Sequence, residues 1–255
     1  MRSADSVAGE GPALFLIHGI GARRATFDRL VEGLSDRFTC ISYDLRGHGL
    51  SPLPQGRFGL DDLVDDLEEL RARLGIEQAH FAGHSLGGMI GPRYALRYPD
   101  RVLSLGLWST AAFRTEDDSA KVMGVVKLMR EKGIGPVLDT LTARWFTDDF
   151  CGARPDVIDW RKRQVMDTDA NVFLNVFDIY AETEMAPWLH QVKAPCQIIT
   201  GELDGGCNPR LNALIHQALP GSDLVILDKL KHAIFIEATD VVLPHVRQFL
   251  LAQGR

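Results

Sequence analysis

Apolar residues along this chain follow two rhythms. Short apolar runs at 13–17, 38–43, 80–82, 102–108, 196–200 and 224–227 read as buried strands. Between them, Leu60, Leu63, Val64, Leu67, Leu70 and Leu74 recur at the spacing of a helix buried along one face. That helix carries Asp61, Asp62, Asp65, Asp66, Glu68 and Glu69 early and Arg71 and Arg73 late, an order that complements the helix dipole at both ends. The acidic run reads as a solvated helix surface rather than a metal site. Strands alternating with helices predict an α/β fold, a mostly parallel sheet with helices on both faces. The alternation stops over 110–192, where helical periodicity and the aromatics Trp145, Phe146, Trp160, Phe173, Phe177, Tyr180 and Trp188 leave no strand pattern. The expected organisation is therefore a core of residues 1–109 and 193–255, with a helical cap, 110–192, inserted after the strand near residue 108.

Composition narrows the class. A chain of 255 residues, 45% hydrophobic and 24% charged, can hold one large α/β domain or a core with an inserted cap. No apolar run approaches the ~18 residues of a membrane span, and the small, polar N-terminus lacks an export signal's apolar region, so a cytoplasmic protein is expected. A net charge of −6 argues against nucleic acid as a partner. Cys40, Cys151, Cys196 and Cys207 are far apart, which argues against a disulfide framework. Cys40 and Cys196 fall in strand-like runs as inert core residues, while Cys207 follows a chemical loop and is a candidate reactive thiol. The histidines form neither H-E-x-x-H nor a local His/Cys cluster, so no metal site and no cofactor are expected, only a small-molecule substrate.

The chemistry gathers after the strands. Gly83-His84-Ser85-Leu86-Gly87 matches G-x-S-x-G, a sharp strand-to-helix turn that lifts a serine hydroxyl into the open. An apolar run precedes it, and Met89, Ile90, Tyr94 and Ala95 follow at helical spacing. Loops 18–21, 44–51 and 202–208 also follow predicted strands, and Lys231-His232 comes soon after the last, so all five segments meet at one sheet edge. A serine hydroxyl needs a base to take its proton and a fixed group to orient that base. Ser85 is the expected nucleophile, His232 the base and Asp204 the orienting acid. Asp204 is preferred to Glu202 and Asp228 because glycines follow it and Pro209 opens a helix. His84, the x of the elbow, is expected to point away from the nucleophile. His18 and His48 are expected to hold turns, and His80, His190, His216 and His245 to be structural or solvated. The Leu86 and Ile20 N–H groups are the expected oxyanion donors.

These motifs resemble the α/β-hydrolase superfamily over nearly the whole chain, with the acid falling between nucleophile and histidine in chain order. Asp44-Leu45-Arg46-Gly47-His48-Gly49-Leu50-Ser51 is similar to the family's D-x-R-G-x-G-x-S loop, which implies structural roles for Arg46 and His48. Within the superfamily the chain resembles 3-oxoadipate enol-lactonases, through Asp61 to Leu67, Leu74 to Glu77 and Leu86 to Gly91. The cap segment Ala143-Arg144-Trp145-Phe146-Thr147, Pro155 and Met166-Asp167-Thr168-Asp169 add to the likeness. The resemblance implies a small acidic enol-lactone opened by water through an acyl-serine. Of the cap cations Arg114, Arg130, Arg144, Arg161 and Arg163, Arg144 is expected to take a substrate carboxylate, with Trp145 as an apolar wall and the others mostly surface charges. The chain departs from the pattern at His84, where those enzymes favour leucine, at His18-Gly19, and in lacking the superfamily's first two strands. A carbon–carbon bond hydrolase with the same triad, and a non-catalytic ligand sensor on the same scaffold, are the competing readings.

Overall fold

A computed structural model describes residues 2–254. Its strands are β1 (Asp5–Ala8), β2 (Ala13–Ile17), β3 (Thr39–Tyr43), β4 (Ala79–His84), β5 (Val102–Trp108), β6 (Cys196–Gly201) and β7 (Asp223–Leu227). They form one sheet in the order β1-β3-β2-β4-β5-β6-β7, parallel throughout except for β1. The helices are α1 (Asp28–Leu34), α2 (Leu60–Arg73), α3 (Gly87–Arg97), α4 (Glu116–Lys132), α5 (Gly135–Trp145), α6 (Asp148–Ala153), α7 (Pro155–Met166), α8 (Ala170–Glu182), α9 (Pro209–Ala218), α10 (Ile234–Glu237) and α11 (Thr239–Ala252).

Central strands are buried on both faces, which is why they read as unbroken apolar runs. Alternate side chains of β2 enter different cores. Leu14 and Leu16 join Trp108 and residues of α1 and α11, such as Leu30 and Val246. Phe15 and Ile17 join Leu67 of α2 and Met89 of α3. Phe15 stacks on its cross-strand partner Phe81 at 5.1 Å.

The N-terminal expectation needs correcting: a strand does precede β2. Asp5–Ala8 pairs antiparallel with β3, Val7 opposite Ile41. Its one branched apolar side chain, Val7, is 49% exposed, so no apolar run marks it. The open edge of β3, not local pattern, calls it into the sheet.

The acidic run of α2 is largely solvent-exposed, at Asp61, Asp62 and Asp65, with Asp66 the exception. Asp61 pairs with Arg93 and Asp65 with Arg97, tying α2 to α3, and Asp66, 2% exposed, receives Arg46 Nε at 2.6 Å. Helices α4 to α8 all fall between β5 and β6, as the lapse in alternation predicts.

Candidate active site

The turn from β4 into α3 is as tight as its glycines suggest. A Cβ on Gly83 would lie 2.1 Å from the Gly87 carbonyl, and one on Gly87 2.1 Å from the Ile17 oxygen. Ser85 between them has φ +58°, a left-handed conformation costly for a non-glycine residue and characteristic of functional turns. Its backbone is held from β5 and just beyond: the Ser85 N–H donates to the Trp108 carbonyl (2.8 Å), and Thr110 Oγ1 donates to the Ser85 carbonyl (2.9 Å).

Ser85, Asp204 and His232, three of the predicted residues, line one cavity of about 440 Å³. His232 Nδ1 lies 2.6 Å from Asp204 Oδ2. The other carboxylate oxygen accepts the Gly206 and Cys207 N–H groups at 3.0 and 2.8 Å, so the acid is fixed and fully engaged. Burial opposes charge on the His232 imidazole, but the Asp204 carboxylate overrides it and raises the pKa above its ordinary value. Burial likewise works against the Asp204 carboxylate, yet His232 and the two N–H donors leave its pKa lowered. The pair is a strengthened base held in one orientation. Glu202, the rejected acid, accepts the Lys229 N–H instead.

The loop after β2 is clamped by two neutral histidines whose tautomers follow from their partners. His18 Nε2 accepts the Leu45 N–H (2.9 Å), leaving Nδ1 to donate to the Gly19 carbonyl (2.8 Å). His48 Nε2 accepts the Gly21 N–H (3.2 Å), leaving Nδ1 to donate to the Arg46 carbonyl (3.1 Å). Burial pushes both pKa values down, that of His48 to about 4. Among the described residues, neither the Ile20 nor the Leu86 N–H has an acceptor within the protein. A Cβ on Gly19 would come within 2.9 Å of Ser85 Cβ, so this loop can lie against the serine only with glycine there.

Comparison with known proteins agrees with this architecture. A family profile described as alpha/beta hydrolase fold matches residues 12–132. The 3-oxoadipate enol-lactonase 2 of Acinetobacter baylyi is 30% identical over 193 residues, 76% of this chain and 72% of that protein. The chain belongs to the α/β-hydrolase family. Among solved family members, the enol-lactonase from Burkholderia xenovorans LB400 superposes with a TM-score of 0.90 at 27% identity, covering 98% of this chain and 96% of its own. A thermophilic esterase from Thermogutta terrifontis shares the fold, with a TM-score of 0.90 at 23% identity over 99% and 94% of the two chains.

In this α/β-hydrolase the roof of the cavity comes from the inserted helices, through Val122 and Val125 of α4, Leu141 and Trp145 of α5, Arg161 of α7 and Phe177 of α8. Arg144 and Trp145 both line the cavity, Arg144 exposed and without an ion-pair partner among the described residues. Arg161 is the main correction. It is no surface charge but a buried one, lying over the Trp145 ring at 4.7 Å, its pKa pushed down to about 9 by burial. The signal was present: Arg161 stands three residues after Ile158 and four before Val165, on the buried face of α7. Arg114 is also inside, over the Tyr180 ring and donating to carbonyls at the end of α8.

Two smaller expectations also change. His84 does not turn away from the site: it lines the cavity, its ring 4.7 Å from that of His232, and its Nε2 donates to the His232 carbonyl at 2.8 Å. Cys207 joins Asp204 and His232 in a cluster whose donor atoms lie within 4.8 Å of one another, a His/Cys neighbourhood invisible in sequence spacing. Burial and the neighbouring Asp204 carboxylate push the Cys207 thiol up, outweighing the Tyr180 hydroxyl 3.2 Å from its Sγ, which argues against a reactive thiolate. Arg46 and His48 act on backbone and on Asp66, in keeping with structural roles.

Proposed function

We propose that the chain is a serine hydrolase that cleaves a small carboxylic ester or lactone through an acyl-serine intermediate. The observation that carries this reading is the His232–Asp204 hydrogen bond on the wall of the cavity that Ser85 lines. Ser85 Oγ attacks the carbonyl carbon as His232 Nε2 takes its proton, and the carbonyl oxygen becomes an oxyanion facing the Ile20 and Leu86 N–H groups. Collapse breaks the bond to the leaving oxygen, which receives the proton from His232. In a lactone that oxygen stays tethered, and in an enol-lactone it leaves as an enol. Water, deprotonated by His232, then attacks the acyl carbon, and Ser85 leaves with the proton. No cofactor is needed for these steps.

The preferred substrate in this reading is a small anionic lactone of the 3-oxoadipate enol-lactone type. Of the cavity acids, Asp204 is committed to its hydrogen bond with His232 and Asp118 is paired with Arg210, whereas Arg144 and Lys121 have no ion-pair partners among the described residues. The walls are otherwise apolar, with Trp145 beside Arg144. Residues 110–192 then act as a cap domain on a core of 1–109 and 193–255, and the cap sets which acyl and leaving groups fit. The resemblance to enol-lactonases supports the same choice.

Turnover of a short-chain aryl ester by the parent and by Ser85→Ala tests the mechanism. The parent should hydrolyse it, and the variant should keep the fold while losing about 10⁴-fold or more in rate. Equal rates in the two proteins would refute the acyl-serine route. A parent inert towards esters, lactones and diketones alike would favour a ligand sensor.

A further inference from the structure

Arg161 reaches from α7 to the loop after β2, donating from Nη1 to the Gly21 carbonyl (2.6 Å) and from Nη2 to the Ile20 carbonyl (2.9 Å). It is 6% exposed, and no carboxylate among the described residues pairs with it. Burying a cation this way is costly, and structural arginines inside proteins normally sit against an acid. Here the planar fork is matched to two successive backbone carbonyls.

Those carbonyls belong to the segment that presents the Ile20 N–H. The Ile20–Gly21 peptide is held at both ends, its oxygen by Arg161 and its N–H by His48 Nε2. The Gly19–Ile20 peptide, which carries the Ile20 N–H, is held through its oxygen by His18 Nδ1 (2.8 Å) and the Ala22 N–H (3.2 Å). With both planes fixed, the direction of the free N–H is fixed too. Three of these four holds come from the core. Arg161 is the one from the inserted helices, and Gly21 meets them again, since a Cβ there would strike Phe173 of α8 at 2.5 Å.

We propose that Arg161 is a positioning residue of the oxyanion hole, making the donor geometry of the Ile20 N–H depend on the seating of the helical roof. The inference rests on the assignment of Ile20 and Leu86 as oxyanion donors above. The guanidinium also adds fixed positive potential beside the developing oxyanion, where a preorganised charge is most effective. Arg161 acts through backbone and makes no contact with the reacting carbonyl in this scheme.

Arg161→Met and Arg161→Lys in the full chain test the proposal, using a neutral aryl acetate and an anionic aryl hemisuccinate. A trifluoromethyl ketone, whose adduct with Ser85 carries an oxyanion, supplies a second readout. Arg161→Met should lower kcat on both esters by about 10²-fold, near the effect of losing an oxyanion donor, with KM changed less than about threefold. Affinity for the ketone should fall in parallel, and Arg161→Lys, keeping the charge and one donor, should recover about tenfold of the loss. Unchanged kcat on the neutral ester would overturn the proposal. So would a loss confined to the hemisuccinate, which would make Arg161 a receptor for the substrate's carboxylate. If Arg161→Met does not fold, Arg161→Lys decides, and parental kcat and ketone affinity there count against the proposal. A parent inactive on both esters, or an equally active Ser85→Ala, overturns the site reading and this inference together. An active, Ser85-dependent parent with an unaffected Arg161→Met overturns the inference alone.

Discussion

A buried imidazole beside a buried carboxylate is a base whose strength its neighbour sets. At His232 the Asp204 charge outweighs the desolvation that would otherwise favour the neutral ring. Base catalysis needs neutral His232, so the acid limb of kcat/KM should have its midpoint above the ~6.5 of a free imidazole. Asp204→Asn removes the charge and leaves burial, which moves the limb to lower pH. The same change lets the ring lose its tautomer and orientation, and kcat should fall about 10⁴-fold while the fold survives. A pH–rate profile of the residual activity checks both parts. A variant with parental rate and an unmoved limb would return Glu202 or Asp228 to consideration, although Glu202 is already engaged with the Lys229 N–H.

At the scale of elements, the end of α5 brings the inserted helices onto the histidine loop. The Ala233 N–H donates to the Trp145 carbonyl (2.8 Å), Lys231 Nζ donates to the Ala143 carbonyl (2.9 Å), and the Thr147 N–H donates to Glu237 of α10 (3.1 Å). Arg144 is thereby held at the cavity, close in sequence to three anchors, with no ion-pair partner for its guanidinium among the described residues. If it receives a substrate carboxylate, Arg144→Ala should raise KM for an aryl hemisuccinate about two- to fivefold, the modest size expected of an exposed ion pair. KM for the neutral aryl acetate should stay at the parental value, and equal losses on both esters would remove Arg144 from substrate binding. The strands of the sheet interior were legible because burial on both faces leaves a continuous apolar run, and the elbow because its glycines answer a local steric demand. What escaped depends on distant partners. β1 exists for the edge of β3, Cys207 meets His232 only through the fold, and Arg161 was hidden among the charges of Trp160-Arg161-Lys162-Arg163. Asp66 and Arg161 share one lesson: a charge on the apolar face of a helix, three or four residues from buried neighbours, is committed to something inside.

Across the whole molecule, four histidines are buried as neutral rings and spend their nitrogens on structure. His18 and His48 hold the loop after β2, His80 meets Ser104 Oγ at 2.8 Å, and His84 supports the His232 carbonyl. Burial pushes all four pKa values down, to about 4 for His48 and His80 and about 3 for His84. In the unfolded chain each titrates near ~6.5. Below that pH the unfolded state binds protons that the folded state refuses, so each ring contributes stability above ~6.5 that is lost as pH falls towards its folded value. The slope approaches about 1.4 kcal/mol per pH unit for each such ring once the unfolded form is fully protonated. His232 runs the other way: its raised pKa contributes stability that is full below ~6.5 and fades as pH rises from there towards the folded value, so acidification from pH 7 recovers only a small part of the loss. Urea unfolding at pH 7 and pH 5, before most carboxylates titrate, should therefore show a marked fall in stability at the lower pH. His80→Gln, which removes a titrating ring remote from the cavity, should make that fall smaller while leaving ester turnover intact. Equal stability at the two pH values would mean that the four rings take up protons without unfolding, against the hydrogen bonds that require at least His18 and His48 to stay neutral.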